Sequence, residues 1–341
     1  MKLTSLTGLL LALPISTLAL ALPSRLPPSR LSKKADETKA GYLAVYWTTE
    51  DESVYFALSS NEDALGFEAI NGGKAIVSPT LGTKAIRDTT IVRGEGDDEG
   101  KYYIIGTDLD IDSTTWDGAS RNGSRAIFVW ESTDLVNWTD ERLITVEGET
   151  AGMAWAPDAI WDEDKGQYFV HWAAQLYAED NPSHSGDPAL INSLRYAYTS
   201  DFRTFTEPQT YITLGDETAI DLSFLEVDEN TLTRYYVDGA TTSPVQDIST
   251  DGILGDWTAL DGTIEDSASF EAPYPIWDNV EEGKAYLFCD RVGDNPGVVA
   301  WESSDVTSGN WARNDQHDLT FMRHLSVLAV TQEQYDVLAA L

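Results

Sequence analysis

Beyond residue 40 the apolar side chains fall into short runs, some alternating with polar residues and some wholly apolar, separated by Gly, Asp and Asn. That spacing predicts β-strands joined by turns. Two kinds of run recur. The first is a strand, then Ser or Thr with Asp or Asn close by, then an aromatic: residues 54–61 lead to Phe67, 126–134 to Trp138, 194–201 to Phe205, 245–251 to Trp257 and 298–305 to Trp311. The second opens on an acid and continues, after a turn, into an aromatic strand. Its copies start at Asp88, Asp158, Asp221 and Glu271 and reach Tyr102, Tyr168, Tyr235 and Tyr286.

Together the two units supply about four strands per repeat, and the repeat count predicts an all-β, five-bladed β-propeller. The acid-led unit is missing from the first repeat, and a strand-like run, 322–330, follows the last. Pairing that run with the N-terminal strands would close the ring and remove an exposed edge. Residues 35–341 shared among five blades give about 61 each, longer than a WD40 blade of roughly 40–45, so generous loops are expected. The tail from Thr331 reads as a short helix with Thr331 as N-cap and Glu333 in its first turn. No linker interrupts residues 35–341, which are read as a single domain.

Residues 1–21 pair Lys2 with an apolar run ending in Ala19-Leu20-Ala21, the pattern of a secretory signal. Residues 22–34, rich in Pro and Ser and ending in Lys33-Lys34, read as a pro-segment or linker with a dibasic processing site. The whole chain has 22 basic and 57 acidic residues, net −35. Because residues 1–34 hold only basic charges, the remainder is near about −40. Such a surface repels nucleic acid and anionic membranes and suits a secreted, extracellular protein acting on neutral or cationic material. A monomer is expected. Cys289 is the only cysteine, so no intrachain disulfide is available and stability must come from the core; within its apolar run it reads as a buried, inert thiol. Asn122 and Asn137 begin N-glycosylation sequons.

In a propeller the innermost strands start at the central channel, so the acids that open the second unit converge there. Crowded carboxylates separate in pKa, and one that stays protonated beside one that stays ionised suits glycosidic hydrolysis. Glu271 stands before Pro273 and Pro275 and beside Tyr274 and Trp277, where lost hydration favours its neutral form. Trp47, Trp116, Trp155, Trp172, Tyr274 and Trp277 are candidate sugar platforms, although most tryptophans, Trp138, Trp257 and Trp311 among them, belong in the core. The polar loop 108–125 either borders the cleft or is a solvated excursion. His171, His184 and His317 lack metal-ligand spacing, and no phosphate-binding loop or Ser-His-Asp signature stands out.

Several local stretches together resemble glycoside hydrolase family 43, five-bladed propeller enzymes acting on arabinose- and xylose-containing polysaccharides. Asp88 with the later Gly100-Lys101-Tyr102-Tyr103 is similar to the family's Asp-Pro opening; Trp155-Ala156-Pro157-Asp158, Ile220-Asp221-Leu222-Ser223, Glu271-Ala272-Pro273 and Arg323-His324-Leu325-Ser326 are similar to its later motifs. The resemblance spans nearly all of 41–341. It implies an inverting mechanism with Asp88 as general base, Glu271 as general acid and Asp221 holding up the pKa of Glu271. It places Asp158 near the pocket and His324 in the channel, near a water-coordinated calcium in relatives; no cofactor is otherwise implied. Arg291, Trp155, Tyr274 and Trp47 join Asp158 and His324 as candidate sugar ligands. Three departures stand out: Thr89 and Leu222 where the family has proline, and Leu325 where it has glycine, from which a looser hold on the carboxylates is expected. The leading expectation is a glycosidase that releases arabinofuranosyl or xylosyl units from neutral plant cell-wall polysaccharide or oligosaccharide. The alternatives are a relative acting on galactan or another glycan, and a non-catalytic carbohydrate-binding propeller. A fructan-acting version would want Asn-Asp-Pro-Asn near the start, which residues 47–51 do not supply.

Overall fold

A computed structural model describes residues 38–341 apart from 242, 263, 265–268 and 294. The expected secretory signal and pro-segment lie outside the described residues. Five four-stranded antiparallel sheets form a five-bladed propeller. The first blade runs β4 (Ile86–Arg93), β5 (Tyr102–Asp108), β6 (Ala126–Ser132) and β7 (Thr139–Thr145), from the channel outward. The second comprises β8 (Trp155–Asp162), β9 (Gln167–Leu176), β10 (Leu190–Thr199) and β11 (Gln209–Ile212). The third comprises β12 (Ala219–Glu226), β13 (Leu232–Asp238), β14 (Ser243–Ser249) and β15 (Thr258–Ala259), and the fourth β16 (Phe270–Trp277), β17 (Ala285–Arg291), β18 (Gly297–Ser303) and β19 (Ala312–Leu319). The closing blade takes its innermost strand, β20 (Arg323–Thr331), from the C-terminal end and β1 (Lys39–Trp47), β2 (Tyr55–Ser60) and β3 (Asp63–Ala69) from the N-terminal end. The predicted closure is therefore present, with Leu43 opposite Leu328 and Val45 opposite Ser326.

The middle strands are buried on both faces because each blade is covered by two neighbours, and so they read as continuous apolar runs. One seam joins Leu43, Phe56, Ile104 and Trp130 between the closing and first blades; another joins Tyr103, Ile105, Tyr168 and Trp172 between the first and second. Cys289 lies in the seam between the third and fourth blades, where burial pushes its thiol up. The outermost strands are exposed and polar, and β11 and β15 are only 4 and 2 residues long, which limits edge pairing. The Ser/Thr–Asp repeat is the turn into these outer strands. Ser132 Oγ accepts from Leu135 N, and Asp134 Oδ1 accepts from Val136 N and Asn137 N; Thr199 and Asp201 repeat the arrangement. Two α-helices lie among the described residues: α1 (Trp116–Asn122), within the polar loop, and α2 (Gln332–Ala339). Thr331 caps α2 as expected, and its capping-box partner is Gln334. No helix among the described residues is long and apolar enough to cross a membrane.

Candidate active site

Every innermost strand carries the same irregularity. In each, two residues stand opposite one of the partner strand, so one extra residue is inserted within Arg87 to Thr90, Trp155 to Asp158, Ile220 to Ser223, Glu271 to Tyr274 and Arg323 to Ser326. The second residue of each bulge has positive φ: Asp88 52°, Ala156 48°, Asp221 55°, Ala272 52° and His324 37°. None is glycine, so each conformation costs on the order of 1–3 kcal/mol and is held by its surroundings. In three blades the holding contact comes from the preceding blade. Ala156 N donates to Thr107 Oγ1 (2.7 Å), Ala272 N to Asp221 Oδ2 (3.0 Å) and His324 N to Asp290 Oδ2 (3.2 Å).

This register corrects the expected equivalence of the four acids. Asp88 and Asp221 are equivalent to each other and to His324, whereas Glu271 stands one position earlier, level with Arg87 and Arg323. Asp158 stands two later, level with Thr90, Ser223, Tyr274 and Ser326. The bulge itself does not depend on the missing prolines. Thr89, Leu222 and Leu325 occupy the third bulge position, as Pro157 and Pro273 do, and the same bulge forms with either residue type. All three are buried, Thr89 and Leu222 where the family has proline and Leu325 where it has glycine.

The upper ring brings Asp88, Asp221, Glu271 and His324 together. Asp88 Oδ1 lies 3.0 Å from His324 Nδ1, and Asp88 Oδ2 accepts from Thr107 Oγ1 at 2.8 Å. Burial alone would raise the Asp88 carboxyl; His324, Arg87 and Thr107 outweigh it and hold it at about 2. Burial likewise works against charge on His324, but Asp88, Asp221 and Glu271 raise its imidazole to about 9, so it is a cation. Among the described residues Asp221 has no cationic side chain within bonding distance; burial raises its carboxyl, the charge of His324 lowers it and that of Asp88 raises it, leaving it at about 6. Glu271 is lifted furthest, to about 8, by burial and then by the charges of Asp221 and Asp290. One ring thus holds a carboxylate kept ionised and a carboxyl kept protonated at neutral pH.

Three neighbours of this ring were not singled out from the sequence. Arg323, level with Glu271, places Nη2 3.9 Å from Glu271 Oε1 and Nε 2.7 Å from Asp290 Oδ2. Asp290 faces Glu271 across the β16–β17 pair. Thr107 bridges Asp88 and the second blade. The family-like stretch 323–326 already contained Arg323, but Asp290 and Thr107 lie at the ends of second strands and carry no acid-led signal of their own.

The other expected ligands divide. Trp155 is half-buried and meets the exposed Trp116 edge-on at 6.0 Å, and Arg87 lies 5.3 Å over the Trp116 ring, so the polar loop does border the acids. Trp47 is only 1% exposed and is covered by the guanidinium groups of Arg87 (4.2 Å) and Arg323 (5.2 Å). Its faces back two cations and offer no stacking surface. Trp172 is fully buried, donating to Glu147 Oε1. Asp158 and Tyr274 belong to the lower ring. They line a cavity of about 280 Å³ that continues along the channel past Ser223 and Val327 to Trp161 and Trp277. Asp158 accepts from Ala159 N and Ser223 Oγ, and burial still lifts its carboxyl to about 6. Arg291 is turned to its own hairpin, donating from Nε to the Asn295 carbonyl at 2.7 Å.

The resemblance implies a water-coordinated calcium near His324, not one bound directly to protein. Among the described residues no three His, Cys, Asp or Glu side chains are grouped to hold a metal ion. The imidazole of His324 is committed to Asp88 and carries positive charge, which opposes a nearby cation.

A propeller whose channel presents carboxyls of opposite protonation has the architecture of a glycosyl hydrolase. Residues 37–336 match a family described as a probable glycosyl hydrolase domain, related to glycosyl hydrolase family 43, and the chain belongs to that family. An alignment over 190 residues, covering 51% of this chain and 18% of the relative's length, shows 35% identity to an α-L-arabinofuranosidase of Bifidobacterium longum subsp. longum. The fold is shared with the crystal structure of the α-L-arabinofuranosidase of Podospora anserina in complex with cellotriose, with 12% identity, a TM-score of 0.50, and coverage of 71% of this chain and 72% of that one. An exo-β-1,3-galactanase of Phanerochaete chrysosporium is similar at 15% identity and a TM-score of 0.49, over 82% of this chain and 54% of that one.

Proposed function

We propose that this propeller is an inverting glycoside hydrolase that releases arabinofuranosyl or xylosyl units from neutral plant cell-wall polysaccharide or its oligosaccharides. The observation that carries the reading is the split between Asp88, held ionised, and Glu271, held protonated, on one ring of the channel. Asp88 takes a proton from water as the oxygen attacks the anomeric carbon. Glu271 gives its proton to the glycosidic oxygen as the bond to it breaks. Asp221 orients the acid, because its carboxylate holds the amide of Ala272, the residue after Glu271. The sugar class is taken from the arabinofuranosidase relative, and the acidic surface favours a neutral polymer. Secretion accords with the leader-like residues 1–21 and with the exposure of both sequon asparagines, Asn122 and Asn137.

The test is an assay of the purified chain on aryl α-L-arabinofuranoside, aryl β-xyloside, arabinan, arabinoxylan and galactan, with product configuration followed by proton NMR. Cleavage of an arabinoside or xyloside with inversion, reduced by about 10²–10⁴-fold in Glu271→Gln and Asp88→Asn, is expected. Cleavage of galactan alone would replace the sugar and keep the mechanism. Glycan binding without cleavage by any form would make the chain a binding propeller.

A further inference from the structure

Arg323 poses a problem for the acid. A guanidinium 3.9 Å from Glu271 Oε1 favours the ionised carboxylate, and an ionised Glu271 has no proton to give. Asp290 supplies the counterweight. Its side chain is fully buried, and Oδ2 receives Arg323 Nε at 2.7 Å, well inside the Arg323–Glu271 separation. The same oxygen accepts the amide of His324, fixing the bulge from which Arg323 projects. Its other oxygen, Oδ1, is buried without a hydrogen-bond partner among the described residues, so that end of the carboxylate is unshielded within the fold. Residue 290 is also the one directly opposite 271 in the β16–β17 register, which ties the two together through the sheet.

We propose that Asp290 is a positioning residue that draws Arg323 away from Glu271 and thereby keeps Glu271 the proton donor. The proposal rests on the glycosidase reading and deepens it. The charged groups around Glu271 are Asp221 from β12, Asp88 from β4, Arg323 and His324 from β20, and Asp290 from β17. Those around Asp290 are Arg323 and His324 on β20, Glu271 on β16, Asp221 on β12 and the adjacent thiol of Cys289. Of the cations in this set, Arg323 is the one whose nearer partner is a carboxylate outside the three catalytic candidates. Removing the charge of Asp290 both frees that cation and deletes a negative neighbour, and both changes favour ionised Glu271.

The experiment is the pH dependence of kcat/KM for the full chain, its Asp290→Asn variant and the Asp290→Asn/Arg323→Met double variant, on one good and one poor leaving group of the sugar that the wild type cleaves. The amide introduced by Asp290→Asn retains an acceptor oxygen for the His324 amide, so the bulge keeps its tie while the charge that draws Arg323 is lost. In Asp290→Asn the alkaline limb should move down by about one pH unit, with about a tenfold loss at pH 8 on the poor leaving group and little loss on the good one, which needs no acid. The double variant should regain most of the limb's position, because the freed cation is gone. If the single variant fails to fold, the double still decides, since removing a whole ion pair should leave the limb near that of the wild type. An unmoved limb in Asp290→Asn, equal losses on both leaving groups, or a limb in the double variant as low as in the single overturns the proposal. A wild type inactive on every glycoside defeats the glycosidase reading instead. The role of Asp290 is then read from the infrared carboxyl band of Glu271 titrated in the wild type and Asp290→Asn: an unchanged midpoint overturns it and a lowered one supports it.

Discussion

Asp88 and Asp221 occupy the same bulge position in the first and third blades, with φ of 52° and 55°, and both are withdrawn from water. One is held at about 2 and the other at about 6. The backbone makes them alike, and the neighbouring blades make them different. On one side Asp88 meets the closing blade, which offers His324 at its own equivalent position, and within its blade it meets Thr107. Asp221 meets the fourth blade, which offers the amide of Ala272 and, beyond it, the acid Glu271. A repeated bulge therefore delivers side chains to one place, and the pairing of unlike blades gives each its protonation state.

The difference can be collapsed from either end. The largest effect is expected from Asp221→Asn, which removes a charge that keeps Glu271 protonated. The rate constant should fall about 10²-fold, and the alkaline limb of kcat/KM should move down from about 8, as read from the pH profile. An unmoved limb would show that burial and the charge of Asp290 hold the proton without Asp221. His324→Gln attacks Asp88. Without the imidazolium, burial prevails, the Asp88 carboxyl climbs from about 2 toward the value of Asp221, and the acid limb rises with it. At pH 4 the variant should lose about tenfold relative to its own activity at pH 7.

Thermal melts sharpen the same contrast with a smaller effect. The folded pKa of His324, about 9, lies above its ordinary 6.5, so its stabilisation is complete below 6.5 and lost as pH rises through 9. For Asp88, about 2 against 3.8, stabilisation is complete above 3.8 and lost as pH falls through 2. The pair thus contributes fully between 3.8 and 6.5, and the midpoint measured at pH 5.5 should exceed that at pH 9.5 by more in the wild type than in His324→Gln. Smallest is Thr107→Val, which removes one bond to Asp88 and one from Ala156. It should cost about 1 kcal/mol in denaturant unfolding and raise the acid limb only slightly.

Much of this was legible in the chain. The alternation of two strand units specified five blades, and the late apolar run specified closure, because strand periodicity and turn chemistry are local properties. The acids that open the second unit pointed to the channel. Their exact levels did not show: a bulge adds one residue without breaking the apolar pattern, so Glu271 and Asp158 looked equivalent to Asp88 while standing one position above and two below it. Trp47 read as a platform because a tryptophan at a strand end looks the same whether sugar or two guanidinium groups cover it.

By itself, the sequence determined the all-β repeat, the ring and the acids Asp88, Asp221 and Glu271, since each follows from side chains close together in the chain. Tertiary structure alone decided which of those acids carries a proton. That depends on burial and on charges brought from elsewhere: His324 reaches Asp88 from the far end of the chain, and Arg323 is shared between Asp290 and Glu271 across two blades. Electrostatic energy depends on distance through space, and no spacing along the chain records it.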